Sequence, residues 1–227
     1  QVNLMTHISR ARKERGAKLI VIDPYRTPTA RQADVHIRPR PGTDAALACG
    51  VMHILFRDGY ADRGYMAEFT NDADALETHV QPRDPAWASG ITGVLVEEIE
   101  ALAKDYGATE RVIIRLGYGF SRSRNGAASL HAVSCLPAIR GAWKHPGAGL
   151  YGSIGQNFSL NTSVVTGIDD PDVRRLDMSR LGPILNDEPG PLNGGPPVTA
   201  MLVQSSNPAV VAPESGKVRN GLMKDEM

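Results

Sequence analysis

The sequence predicts an α/β fold built on a mostly parallel, Rossmann-like sheet flanked by helices. Three observations carry this. Continuous apolar runs rich in branched residues occur at Lys18–Ile22, Arg111–Leu116 and Val198–Val203, the pattern of parallel strands buried on both faces. The segments between them carry helical rather than alternating apolar spacing. No period of roughly 20–50 residues repeats, which excludes a solenoid.

Each element follows in chain order. Residues 2–15 form an amphipathic helix, with Leu4, Ile8 and Ala11 on one face and Arg10, Arg12, Lys13 and Glu14 on the other. Gly16 stops it. Lys18–Ile22 is the first strand, ended by Asp23 and Pro24, and Val35–Ile37 is a second short strand. Pro39–Gly42 is a turn, after which Thr43 caps a helix through about Asp58. Further helices are expected over 62–68, 72–79 and 93–106. Arg111–Leu116 is a buried strand followed by a glycine turn and a helix over roughly 124–139. Pro146–Gly149 opens a loop-rich stretch to Pro197, interrupted by a helical piece at Met178–Leu185. Val198–Val203 is the third buried strand, and a last helix starts near Pro213. A division of the chain into 1–110 and 111–227 fits this order. In parallel sheets ligands collect at the carboxyl ends of the strands. Those ends are Asp23, the turn after Leu116, and Gln204–Asn207, so the three are expected to border one crevice.

Composition narrows the function classes. The 227 residues carry 25 Lys and Arg against 25 Asp and Glu, a formal charge of zero. A nucleic-acid binder normally needs a basic surplus, so no nucleic-acid partner is expected. No apolar run reaches the ~20 residues of a membrane span, so this segment is not expected to insert into a bilayer. The two cysteines, Cys49 and Cys135, form no CxxC pair, and both read as small apolar residues inside helices rather than metal ligands. The six histidines are scattered without a ligand spacing, and no G-x-S-x-G elbow is present. Gly (23) and Pro (16) exceed average usage and imply long ordered loops, where ligand sites concentrate. The first residue is Gln1 and the last Met227, and both ends read as cut from something longer.

Four segments have the residue types that chemistry needs. Asp23, Pro24, Arg26 and Thr27 follow the first strand, where an acid accepts from ribose hydroxyls and Arg26 and Thr27 reach a phosphate. An Asx turn at Asp23 explains the same residues without a ligand. Gly42, Thr43 and Asp44 sit at a helix N-terminus. There a carboxylate either supports the helix or accepts both N1–H and N2–H of a guanine edge. Gly117–Gly126 follows a strand and opens a helix, but Arg122 stands where G-x-G-x-x-G needs its last glycine. The P-loop Gly-Lys-Ser/Thr is absent too. Arg122 and Arg124 either hold a pyrophosphate as planar donors or form a solvated basic turn. Ser205, Ser206 and Asn207 end the third strand and face either a ligand or an Asn-Pro turn.

Taken in order, these segments resemble the molybdopterin oxidoreductase family of the dimethyl sulfoxide reductase type, related to formate dehydrogenases and periplasmic nitrate reductases. The resemblance runs from Gly16–Ala30 through Ala33-Asp34 and Arg38–Leu47. It continues at Arg115–Arg122, Leu136-Pro137, Gly141–Trp143, Gly147–Gly149 and Ser206–Ala209, and so covers nearly the whole chain. It implies a region of a larger multidomain enzyme that holds the guanosine ends of a bis(molybdopterin guanine dinucleotide) cofactor with molybdenum or tungsten. Asp23–Thr27 and Gly42–Asp44 would then hold one guanosine. Tyr118 and Arg122 would lie toward the pterin and pyrophosphate, and Ser205, Ser206 and Asn207 toward the other dinucleotide. The family's cysteine-rich segment with its [4Fe-4S] cluster, its metal ligand and its C-terminal domain have no counterpart here. The expected partners are the rest of its own chain, a small-molecule substrate and electron-transfer subunits, in the cytoplasm or the periplasm. No catalytic or metal-ligating residue is expected within 1–227. Two alternatives stand beside this: a non-redox guanine-nucleotide-binding module, and a cofactor-free structural subunit.

Overall fold

The computed structural model describes residues 2–120, 123, 125–152, 161 and 172–225. The chain divides into two compact units, Gln1–Phe158 and Ser159–Met227.

The first unit begins with helix α1 (Val2–Arg15), which leads into strand β1 (Ile20–Ile22). A 3-10 turn at Ala30–Gln32 precedes β2 (Val35–Ile37), which pairs parallel to β1 with Ile20 opposite Val35. Asp34 fastens the three elements together. Its carboxylate accepts from the Leu19 amide at 2.7 Å and from the Arg12 guanidinium at 2.5 Å, while Arg12 also donates to Gln32 O at 2.8 Å. The Leu19 amide and then Arg12 hold the Asp34 carboxyl below the usual carboxylate range. The Ala33-Asp34 pair of the sequence is therefore a structural clamp.

Helix α2 (Asp44–Arg57) is the centre of this unit, with nine consecutive or near-consecutive residues from Ala46 to Leu55 buried. It reads as an apolar helix because it is surrounded. Packed around it are α4 (Ala73–Val80), α5 (Pro85–Thr92), α6 (Val96–Ala108) and α7 (Gly126–Ile139). The short α3 (Arg63–Phe69) packs on α7. Aspartates set two of the starts: Asp62 accepts from Tyr65 N at 2.9 Å for α3, and Asp84 from Trp87 N at 2.7 Å for α5, with Pro85 in the first turn. Glu98 accepts from Leu95 N at 3.1 Å at the start of α6. α2 and α5 approach closely, since a Cβ built on Gly50 would lie 2.7 Å from the Ala88 Cβ. Strand β3 (Ile113–Arg115) pairs parallel with β4 (Gly149–Tyr151).

The second unit has a 3-10 turn at Met178–Arg180, α8 (Leu181–Leu185), α9 (Pro208–Val211) and α10 (Ser215–Leu222). Its buried apolar residues include Ile184, Leu185, Leu192 and Val218. Asn186 Nδ2 donates to Gly182 O and Lys217 O at 2.7 and 2.8 Å, tying α8 to α10.

The predicted single parallel sheet is corrected in three respects. The described strands form two separate two-stranded parallel sheets, β1–β2 and β3–β4. Val198–Val203 is not a strand; it runs without a sheet partner, and Leu202 is 95% exposed. A branched apolar run becomes a strand only where a neighbouring edge accepts its hydrogen bonds, and none of the described strands does so. Third, β1 and β3 are not buried on both faces, since Ile22 is 45% and Ile113 57% exposed. The sequence also left out α5 and β4. The predicted helices over 2–15, 43–58, 62–68, 72–79, 93–106 and 124–139 are present within a few residues of their expected bounds.

Two outcomes follow. Gly50→Ala lowers stability although it raises helix propensity. Overpacking against Ala88 costs about 1–3 kcal/mol, whereas the propensity gain is about 1 kcal/mol. Adding Ala88→Gly recovers part of the loss in denaturant unfolding. Asp34→Ala lowers the melting temperature by a few degrees at neutral pH. Because the folded carboxyl titrates below its unfolded value, the Asp34 contribution is complete above that value and vanishes as pH falls through the lowered one. The gap between the two proteins should close on acidification in a thermal melt series.

Candidate functional site

Three loops meet on the first unit: the end of β1, the turn into α2 and the turn after β3. At the first, Asp23 N donates to Ile37 O at 3.0 Å, which extends the β1–β2 pairing by one residue. Asp23 Oδ1 accepts from Tyr25 N at 2.8 Å, an Asx turn, and the His36 ring nitrogen Nε2 lies 2.8 Å from Asp23 O. Thr27 Oγ1 accepts from Ala30 N at 3.1 Å and starts the 3-10 turn. The bland reading of Asp23 and Thr27 thus holds for one oxygen of each. Asp23 Oδ2 has no hydrogen-bond partner among the described residues, and Pro24 and Arg26 are exposed.

The second loop is set by Gly42, whose φ of +78° reverses the chain ahead of α2. Thr43 does not cap the helix with its side chain, as the sequence suggested. Its hydroxyl donates backward to Arg40 O at 2.6 Å, which closes the turn instead. Asp44 follows in the first helical turn, half-buried. Its carboxylate accepts from its own backbone amide and makes no ion pair or hydrogen bond with another described residue, and burial, the larger effect, pushes its titration up. An acid at a helix N-terminus ordinarily titrates low, so the desolvation here outweighs the helix.

The third loop is fastened to the second by Asn125, whose Nδ2 donates to Gly42 O at 2.8 Å. That contact escaped the sequence reading, although an Asn directly before a helix was a visible signal. Gly117 and Gly119 have no atom within 4 Å of where a Cβ would stand. The turn therefore presents bare backbone. Tyr118 is 63% exposed beside it. Arg122 lies outside the described residues.

Two cavities adjoin at this turn. One of about 460 Å³ is lined by Asp44, Leu47, Ile22, Arg115, Gly117 and Phe120 among others. The other, about 190 Å³, is bounded by Arg115, Gly117, Tyr118, Phe120, Leu130 and Gly152. The structure thus brings Asp44 and the Gly117 turn to one cavity, which Ile22 at the end of β1 also lines. Ser205, Ser206 and Asn207 belong to the second unit. All three are exposed there, with Ser205 at φ +52° and Asn207 O accepting from Val210 N and Val211 N at 3.0 Å to start α9. The described coordinates of the first unit form the site without them.

Cys49 is buried in α2 and Cys135 half-buried in α7, and burial raises both thiols. His145 pairs with Glu110 at 3.2 Å. Among the described residues no group of three His, Cys, Asp or Glu is placed to hold a metal ion. No described helix is long and apolar enough to cross a membrane.

Comparison with known proteins identifies the family of the chain. Residues 2–185 match the family model described as molybdopterin oxidoreductase. The chain is 38% identical over 226 residues to the probable oxidoreductase YoaE of Bacillus subtilis, covering 97% of this chain and 32% of that protein. It is 34% identical over 145 residues to the F420-dependent formate dehydrogenase 1 subunit alpha of Methanococcus maripaludis, covering 64% of this chain and 22% of the other. Among solved structures, acetylene hydratase from Pelobacter acetylenicus superposes with a TM-score of 0.57 at 28% identity, over 61% of this chain and 19% of that one. The chain spans no more than about a third of these relatives.

Two substitutions test this geometry. Asn125→Ala removes the tie to Gly42 and costs about 0.5–1.5 kcal/mol in denaturant unfolding. Asp44→Asn acts the other way on the ligand-free protein. The folded Asp44 titrates above its unfolded value, so its ionisation penalises the fold at neutral pH, and the penalty is relieved as pH falls through the raised value. Asp44→Asn should therefore raise the melting temperature at pH 7 by up to about 2 °C, discounted for its partial exposure. The difference should vanish below about pH 4.

Proposed function

Because the chain belongs to the molybdopterin oxidoreductase family, of the dimethyl sulfoxide reductase and formate dehydrogenase type, we propose that it is the guanosine-end binding region of a molybdenum or tungsten bis(molybdopterin guanine dinucleotide) enzyme. The observation that supports this most is the Asp44 carboxyl, half-buried on the lining of the 460 Å³ cavity and bonded by no described residue but its own amide. A guanine edge offers two parallel N–H donors, N1–H and N2–H, and one carboxylate can accept both. Other residues of the chain would serve the rest of such a group. Asp23 retains one oxygen for a ribose hydroxyl, and the bare 117–119 turn suits a pyrophosphate approaching along the backbone. Arg26 and Arg122 supply guanidinium charge to the same anion.

When bound, the cofactor supplies a metal that exchanges two electrons or an oxygen atom with a substrate. The residues of this chain hold and orient it. Asp44 fixes the purine, and the Asn125–Gly42 tie keeps the loop carrying Asp44 in register with the Gly117 turn. Tyr118 lies toward the pterin end, and Ser205, Ser206 and Asn207 serve the second dinucleotide. The metal ligand, an iron–sulfur cluster and the residues that choose the substrate belong to sequence outside 1–227. Electron-transfer subunits are the proposed partners.

Asp44→Asn in the full-length enzyme keeps one acceptor and replaces the other with a donor. The expected loss is about 1.5–3 kcal/mol of cofactor affinity, or roughly ten- to a hundredfold. It is read as reduced molybdenum or tungsten together with reduced guanine nucleotide released on denaturation. Unchanged content of both would overturn the role of Asp44. A full-length protein with neither metal nor guanine nucleotide would favour a structural subunit.

A further inference from the structure

Where Gly follows Asn, the glycine nitrogen has an open approach to the asparagine side-chain amide, because no Cβ crowds it. The chain has three such pairs, Asn125-Gly126, Asn193-Gly194 and Asn220-Gly221. Attack needs a glycine N–H free of other bonds and an asparagine ψ that eclipses Cβ with that nitrogen. Two of the pairs are locked against it. Gly126 N donates to Ser123 O at 3.1 Å, and Asn125 Nδ2 donates to Gly42 O at 2.8 Å. Asn220 and Gly221 lie inside α10, where helical geometry fixes the backbone. Gly221 is also buried so closely that a Cβ on it would stand 2.3 Å from the Leu185 Cβ.

Asn193-Gly194 is placed differently. Asn193 at φ +49° and Gly194 at φ +73° are the central residues of a turn, closed by Gly195 N donating to Leu192 O at 3.0 Å. Positive φ at both central positions is the type I′ turn that Asn-Gly favours. The peptide between the two central residues takes no part in the closing bond, and Gly194 N donates to no other described residue. It is therefore free to flip to type II′ geometry while the turn stays closed. The flip carries the Asn193 ψ to about −120° and makes the Gly194 φ negative, which glycine accepts. At that ψ the Asn193 Cβ eclipses the Gly194 nitrogen and Cγ comes within its reach. Both residues are exposed to water. The bond from Asn193 Nδ2 to Arg175 O, at 3.1 Å, is given up.

We propose that Asn193 is a site of spontaneous deamidation. Gly194 N gives its proton to solvent base and attacks Asn193 Cγ. The bond from Gly194 N to Cγ forms, the bond from Cγ to Nδ2 breaks, and Nδ2 leaves as ammonia. Water then opens the resulting five-membered imide. Opening at Cγ leaves an aspartyl residue at position 193, and opening at the main-chain carbonyl leaves an isoaspartyl link. One water is consumed, one ammonia is released, and no oxidant or cofactor takes part. The modification bears on the second unit because the turn wraps Arg174. Arg174 Nη1 donates to Leu192 O at 3.1 Å and to Pro196 O at 2.7 Å. An isoaspartyl link inserts a methylene into the main chain between those two acceptors, next to the buried Leu192. It also adds a negative charge there.

The test incubates the folded full-length protein in mildly alkaline buffer and follows each Asn-Gly pair by peptide mass spectrometry after digestion at acid pH. A parallel sample is held unfolded in guanidinium. Unfolded, the three pairs react at similar rates, since only local chemistry remains. Folded, position 193 converts at least about tenfold faster than positions 125 and 220, whose reaction waits for local opening. The position 193 peptide shows both aspartyl and isoaspartyl forms. A smaller gap in the folded protein overturns the proposal. The same gap in the unfolded sample also overturns it, because the cause would then be neighbouring sequence and not the turn. Neither sample reads the cofactor content that tests the role of Asp44.

Discussion

The burial of α2 is the constraint on which the rest of the first unit depends. From Ala46 to Leu55 this helix has almost no face toward solvent, and four other helices pack on it. Such a helix must be apolar nearly all round and small where a neighbour comes closest, which is why Gly50 faces Ala88. The N-terminus of the same helix cannot be buried in this way, because its leading amides need partners. It emerges instead at a loop edge and brings Asp44 with it. The core and the site are therefore two ends of one element.

The same arrangement explains why the site is loop-built yet held in place. Gly42 reverses the chain, Thr43 closes the turn onto Arg40, and Asn125 joins that turn to the start of α7. None of these contacts is strong alone. Each is worth on the order of 1 kcal/mol, but α2 and α7 are rigid bodies packed against one another, so a few bonds suffice to fix the loops at their ends. Asp44 is then left with a desolvated carboxyl that accepts from its own backbone amide and from no other described residue.

The strands tell the complementary story. Composition and periodicity make β1 and β3 look like the middle of a parallel sheet, and the exposure of Ile22 and Ile113 departs from that expectation. The departure is local to the edges bordering the cavity. Side-chain chemistry in β1 and β3 is suited to full burial, and the described neighbours provide only half of it.

By itself the sequence determined the α/β class with parallel pairing, most helices to within a few residues, β1, β2 and β3, and the family, because apolar periodicity and ordered motifs are local properties. It also singled out Asp23, Gly42 and Asp44 as chemically apt. Tertiary structure decided what pattern leaves open. Val198–Val203 has the composition of a strand but no edge to pair with, and β4 has three unremarkable residues, Gly149–Tyr151, that pair because β3 lies beside them. Thr43 has a capping residue's chemistry and spends it on Arg40 O, while Asp23 spends one oxygen on its own turn. Whether a hydrogen-bonding group is used up locally or remains for a ligand depends on which groups the folded chain carries to within 3 Å of it, and those come from positions far apart in sequence.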